Sequence, residues 1–147
     1  MNGVIAQDAD LSTESKAKFK TVTEIAPTQK EIRDLEFAVK AVKHLKSNGI
    51  ALVKNEQLIG MGCGQTSRVD ALQHAIKKAN EFGFDLQGAV MASDAFFPFP
   101  DCVMIAHESG ITAIAQPGGS IKDQASVDAA NLNKMAMVMT GTRHFKH

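Results

Sequence analysis

Apolar and polar residues are interspersed over Phe19-Lys20-Thr21-Val22-Thr23, which reads as a short strand. Thr28-Gln29-Lys30-Glu31 then reads as a capping box, in which a threonine hydroxyl accepts from the third helical amide and the glutamate reaches back. Ile32, Leu35, Val39 and Val42 follow at helical spacing and predict one buried stripe running to about Lys46, with Ser47-Asn48-Gly49 as the stop. Ile50 to Val53 and Leu58 to Met61 predict two strands, joined through the hairpin loop Lys54-Asn55-Glu56-Gln57. A second helix carries the predicted stripe Val69, Leu72, Ile76 and Ala79, and Phe82-Gly83 ends it. Ala89-Val90-Met91, Thr112 to Ala115 and Met135 to Met139 predict three further strands. Between them lie a helix from Asp101 to Ser109, stopped at Gly110, and a fourth helix entered through the cap pair Ser120 and Asp123.

From the hairpin onward the order is β-β-α-β-α-β-α-β. Short apolar strands alternating with helices predict an α/β fold, a three-layer α/β/α sandwich around a mixed sheet, parallel in its second half. Ligands in such sheets sit beyond the carboxyl ends of the strands. The 147 residues suit a single domain, 1–147, with the polar stretch 1–15 as a flexible arm.

Composition narrows the function classes. Lys plus Arg and Asp plus Glu both number 16, so no global field steers the chain to nucleic acid or an anionic membrane, and anion recognition must be local. Cys63 and Cys102 are isolated, in no CxxC or Cys/His pattern, which argues against zinc and a disulfide framework and suits a reducing cytoplasm. No apolar run nears the roughly 18 residues of a membrane span, and the first residues lack the pattern of a secretory signal.

Four segments at the predicted strand ends carry candidate chemistry. Gly62-Cys-Gly-Gln-Thr-Ser-Arg68 pairs two glycines with a helix start whose amides and dipole favour an anion. A cation in that first turn, Arg68, opposes the dipole unless it has an anionic partner such as a ligand phosphate or carboxylate; the other reading is an exposed arginine beside a routine strand-to-helix turn. Ser93-Asp-Ala-Phe-Phe-Pro-Phe-Pro100 is a stiff aromatic loop, suited either to walling a planar heterocycle or to closing the core beneath it. Gln116-Pro-Gly-Gly-Ser120 is a second glycine-rich helix entry. Arg143-His-Phe-Lys-His147 is either a solvated tail or a second anion contact with titratable histidines. His44, His74 and His107 read as surface or structural residues.

Together with Val42-Lys-His-Leu-Lys-Ser-Asn48 and the terminal Thr140-Gly-Thr-Arg-His-Phe-Lys-His147, these segments resemble the AICAR formyltransferase region of the bifunctional AICAR formyltransferase/IMP cyclohydrolase of purine biosynthesis. The similarity runs from about Val4 to His147. It implies a cytidine-deaminase-like fold without the deaminase zinc ligands, and the second of the two related halves of that region. The implied reaction is formyl transfer from 10-formyltetrahydrofolate, as co-substrate, to the 5-amino group of AICAR. The resemblance assigns Asn48, Ser67, Arg68, Phe96, Pro98, Arg143 and Phe145 to the nucleotide. It places Val69, Asp101 and Ser120 near the folate, and Asn48 and His147 at the chemistry. The family's catalytic Lys-His pair belongs to the first half. Lys43-His44 has the same letters but does not align with it. The implied partners are a second copy or a first-half polypeptide, with no nucleic acid, membrane or metal. A non-catalytic nucleotide- or folate-binding module is the alternative.

Overall fold

The computed structural model describes residues 3–4, 6–13 and 15–147. Of the expected arm, Met1, Asn2, Ile5 and Glu14 lie outside the described residues.

After a short 3₁₀ turn at Lys16–Lys18 come β1 (Lys20–Thr21), α1 (Gln29–Val42), β2 (Ile50–Lys54) and β3 (Gln57–Gly62). They are followed by α2 (Arg68–Glu81), β4 (Val90–Ser93), α3 (Asp101–Glu108), β5 (Ala113–Gln116), α4 (Asp123–Leu132) and β6 (Ala136–Met139). One six-stranded sheet has the order β1-β6-β5-β4-β2-β3. The pairs β4–β5 and β5–β6 are parallel, whereas β1–β6, β2–β3 and β2–β4 are antiparallel. Strands β3 to β6 therefore point the same way. Their carboxyl ends share one edge of the sheet with the start of β2.

Strand alternation divides the core by side-chain size. Ala51, Val53, Val90, Ala92, Ala113, Ala115, Ala136 and Val138 face α1, against Leu35, Ala38, Val39 and Val42. The bulkier Ile50, Leu52, Met91, Ile114 and Met137 face the opposite side, in one cluster with buried residues of α2, α3 and α4. A single helix thus lies on a smooth face of small residues, and three helices cover the other. This is the expected three-layer sandwich.

The capping box of α1 forms as read. Thr28 accepts from the Glu31 amide at 3.2 Å, and Glu31 accepts from the Thr28 amide at 2.7 Å. The helix stops at Val42 rather than near Lys46, and Lys43 to Ser47 form turns into β2. Its stripe includes a residue that polarity hid. Asp34 is buried, and its carboxylate accepts from the Asn55 and Glu56 amides at 3.1 and 2.6 Å. These two residues, at φ 55° and 57°, form the tight β2–β3 turn. The carboxylate satisfies two amides that this left-handed turn turns away from the ladder.

The stripe of α2 is rotated from the expected one. Ala71, Leu72, Ala75 and Ala79 are buried, while Val69 and Ile76 are only partly so. The cause is close approach to β3. A Cβ at Gly60 would meet the Ala75 carbonyl oxygen at 2.4 Å, and one at Gly62 would meet that of Ala71 at 1.9 Å. Alanines opposite glycines let helix and strand touch along their backbones. Gly62, one of the two glycines of the anion-favouring turn, thus leaves room for the helix.

Candidate functional site

Each glycine-rich or aromatic segment leaves a strand at the shared edge. Gly62 to Ser67 follows β3, Ser93 to Pro100 follows β4, Gln116 to Ser120 follows β5, and Thr140 to His147 follows β6. Asn48 lies just before β2, at the same edge.

Asp94 organises this edge. Its side chain is wholly buried at the end of β4, and Oδ1 lies 2.8 Å from the Arg68 guanidinium, itself 9% exposed. Arg68 comes from the first turn of α2, where Ser67 caps the helix by accepting from the Asp70 amide at 3.0 Å. The anionic partner that an arginine at a helix start requires is thus this internal carboxylate. The Arg68 Nε is buried and has no acceptor among the described residues. Asp94 Oδ2 accepts from the Ser47 hydroxyl at 2.5 Å. Ser47 Oγ accepts in turn from the Lys146 amide at 3.1 Å, and the Ser47 amide donates to the Lys146 carbonyl at 2.8 Å. The Asp94 backbone donates to the Gly49 carbonyl at 3.2 Å and accepts from the His144 amide at 2.9 Å.

Asn48 is held by the glycine turn. Its side-chain amide donates to the Gln65 carbonyl at 3.0 Å, and the Gly64 amide donates to the Lys46 carbonyl at 2.8 Å. Arg68, Ser47 and the tail backbone therefore meet at Asp94, with Ser67 and Asn48 next to them in the chain.

The aromatic loop divides its work. Phe97 is completely buried, and its amide donates to the buried Gln116 side chain at 3.1 Å, so this residue closes the core. Phe96 and Pro98 are half-buried, and Phe99 is exposed beneath the Lys122 ammonium, 4.2 Å from the ring centroid. Phe96 and Arg143 line one cavity of about 280 Å³ with Pro117, Gly118, Gly119 and Gly141. Arg143 also stacks over Phe145 at 5.0 Å, and Phe145 tilts against His147 at 5.7 Å. Phe96 lies two residues beyond Asp94, and Arg143 one residue before His144.

The three candidates for the folate side stand at successive helix starts. Val69 is half-buried in the first turn of α2. Asp101 is exposed at the start of α3, where its carboxylate accepts from the Cys102 amide at 2.8 Å. Ser120 precedes α4. Half of the expected cap pair forms: Asp123 reaches back to accept from the Ser120 amide at 3.1 Å and from that of Gly119 at 2.7 Å, while Ser120 Oγ accepts from the Lys122 amide instead of that of Asp123.

Several residues of this region were not singled out from sequence. The arm packs on the tail. Asp10 Oδ2 lies 2.5 Å from Nδ1 of the buried His144, and the Gln7 amide group donates to the Phe145 carbonyl. Burial would raise the Asp10 carboxyl, but the hydrogen bond and charge of His144, with the Ser12 amide and Lys43, outweigh it and hold it below the ordinary 3.8. Lys43 donates to the Ser12 carbonyl and to Thr13 Oγ1. Lys43 and His44 line a cleft of about 500 Å³ with Asp10, Phe145, Lys146 and His147. His44, His74 and His107 are exposed.

Cys63 is exposed, whereas burial, then Asp101, push the Cys102 thiol up to about 12 against the opposing pull of Arg68. Among the described residues, no group of three or more His, Cys, Asp and Glu side chains is placed to hold a metal ion. No described helix is long and apolar enough to cross a membrane.

Comparison with solved structures supports the architecture. A dCMP deaminase from the cyanophage S-TIM5, in apo form, superposes with a TM-score of 0.52 at 16% identity, covering 75% of this chain and 98% of that one. The fold is therefore deaminase-like. In sequence, the family profile described as AICARFT/IMPCHase bienzyme matches residues 1–78. The "Bifunctional purine biosynthesis protein PurH" of Bacteroides thetaiotaomicron is 61% identical over 147 residues, all of this chain and 29% of that protein. The protein of the same name from Aquifex aeolicus is 54% identical over 145 residues, 99% of this chain and 28% of its own length. The chain thus spans under a third of the length of these curated relatives. With the profile matching over half of the chain and a relative 61% identical over all of it, the chain belongs to the AICARFT/IMPCHase bienzyme family.

Proposed function

We propose that this chain carries the C-terminal part of an AICAR formyltransferase site. The observation that supports the reading is the single edge that carries Asn48, Arg68, Phe96 and the tail, where Arg68, Ser47 and the His144 amide bond buried Asp94 and Phe96 lines a neighbouring cavity with Arg143. A deaminase-like sandwich is the fold that the resemblance to the formyltransferase half implies.

In this reading the 5-amino nitrogen of AICAR attacks the formyl carbon of 10-formyltetrahydrofolate. The new C–N bond forms, the bond to N10 breaks, the amine gives up a proton and N10 takes one. The amine is a weak nucleophile because its lone pair is delocalised into the imidazole, so positioning and stabilisation of the tetrahedral oxyanion carry the rate. Asn48 offers a donor and an acceptor to the carboxamide. Arg68 and Arg143 supply forked donors for carboxamide or phosphate oxygens. Phe96 and Pro98 wall the heterocycle, and Val69, Asp101 and Ser120 stand on the folate side. Phe145 and His147 close the cleft.

The family's Lys-His pair is expected from a first-half polypeptide, a second chain or another part of a longer protein. The test mixes this chain with a first-half polypeptide, AICAR and 10-formyltetrahydrofolate and follows release of tetrahydrofolate. Turnover in the mixture, and its loss with Arg68→Ala, is the expected result. No turnover from two folded partners contradicts it.

A second reading is a nucleotide- or folate-binding module without turnover. Its support is the placement of Lys43, whose ammonium is engaged by the Ser12 carbonyl and Thr13 rather than by the Asp94 cluster. AICAR binding without transfer in any mixture is its signature.

A further inference from the structure

We propose that Asp94 is the positioning residue of this nucleotide site, one carboxylate that fixes the Arg68 guanidinium and, through Ser47, the closing tail. The proposal rests on the nucleotide reading of the edge given above.

Three features carry it. Asp94 is fully buried, yet both of its oxygens are used, and by different parts of the chain. Oδ1 takes Arg68 from α2, and Oδ2 takes the Ser47 hydroxyl from the loop that also bears Asn48. Ser47 then exchanges two hydrogen bonds with Lys146, and the Asp94 carbonyl takes the His144 amide, so the tail is pinned on either side of Phe145. Substrate-contacting candidates on three separate segments are thereby referred to a single anchor. A ligand that needs Arg68 and the tail together would find both already placed, which lowers the ordering cost of binding. An orienting group behind the contacting residues is the usual way such geometry is held.

The fold alone does not call for this carboxylate. Backbone pairing of Ile50 with Ser93 already joins β2 to β4, and the hydrophobic clusters lie on either side. An acid at the strand end is explained by what it holds.

The experiment uses the whole chain, with Asp94→Asn and Ser47→Ala, and reads amide hydrogen exchange, the Arg68 Nε–Hε resonance and AICAR affinity by calorimetry. In Ser47→Ala, exchange at Lys146 accelerates at least tenfold, while Ile114 and Ala115 in β5 keep wild-type protection and the Arg68 resonance stays in place. In Asp94→Asn, the Arg68 resonance moves as well, exchange accelerates at least tenfold more at Lys146 than in β5, and AICAR binds the folded chain at least tenfold more weakly. A carboxylate that merely stabilises the fold would speed exchange in β5 and the tail by the same factor. That result, or unchanged Lys146 and Arg68 signals, overturns the proposal. Should Asp94→Asn fail to fold, Ser47→Ala decides: tail-specific release supports the anchor and an unaltered tail refutes it. A wild-type chain that does not bind AICAR refutes the nucleotide reading, while exchange and the arginine signal still report on Asp94.

Discussion

The Arg68 guanidinium lies 2.8 Å from Asp94 Oδ1, joining the first turn of α2 to the carboxyl end of β4 in a pair that is 9% and 0% exposed. Removing one partner of a buried pair leaves an uncompensated charge, at a cost of about 3–5 kcal/mol. Arg68→Ala should therefore destabilise the chain by this order in urea denaturation. A loss below about 1 kcal/mol, the level of an exposed pair, would show that water reaches Asp94.

The turn between β2 and β3 depends on a residue of α1. Asp34 accepts from both Asn55 and Glu56 amides, so Asp34→Ala leaves two donors without their partner. A loss of about 1–3 kcal/mol is expected for such groups. Asp34→Asn, which keeps one acceptor, should lose less. Equal losses for the two variants would point to the charge rather than the acceptors.

Close approach of α2 to β3 makes Gly62 intolerant of a side chain. An added Cβ would sit 1.9 Å from the Ala71 carbonyl oxygen, so Gly62→Ala must displace the helix that bears Arg68. Overpacking of this kind costs about 1–3 kcal/mol. The variant should show a lowered Tm together with a shifted Arg68 resonance. Wild-type stability would contradict the backbone contact.

Much of this architecture can be read from spacing, and its failures have physical causes. Periodicity located the strands because their apolar runs are short and bounded by glycine, proline and polar turns. It misplaced the buried face of α2 because Val69 and Ile76 outweigh alanine on any hydrophobicity scale, whereas contact with Gly60 and Gly62 selects small residues. Asp34 and Asp94 escaped because a carboxylate reads as solvent-facing until its donors are known, and those donors lie 21 to 47 residues away in sequence. The aromatic loop left two readings open: Phe97 closes the core, and Phe96 lines a cavity with Arg143, which is where the proposed heterocycle would sit.

The latch between arm and tail has a defined pH sense. Asp10 is held below 3.8 in the folded chain, so its contribution is complete above 3.8 and is lost as the pH falls through the lower folded value. Amide protection across Gln7 to Thr13, taken relative to the unstructured rate at each pH, should fall on acidification through that range. Asp10→Asn should release the arm at neutral pH and remove the acid-dependent step. An arm equally protected in both forms would dissociate the latch from Asp10.

The two thiols should differ. Cys63 is exposed, and Cys102 is buried with its thiol pushed up to about 12. Iodoacetamide at neutral pH should label Cys63 alone, because the thiolate is the nucleophile. Labelling of Cys102 in the folded chain, read by mass spectrometry of its peptide, would contradict its burial.

The most direct test of the proposed nucleotide cleft is a titration of the ¹⁵N-labelled chain with AICAR, followed by amide and arginine side-chain resonances. Shifts should concentrate at Asn48, Arg68, Phe96, Arg143 and Phe145 and leave β1 and the outer face of α1 unmoved. Shifts scattered over unconnected surfaces, or none at millimolar AICAR, would contradict the account.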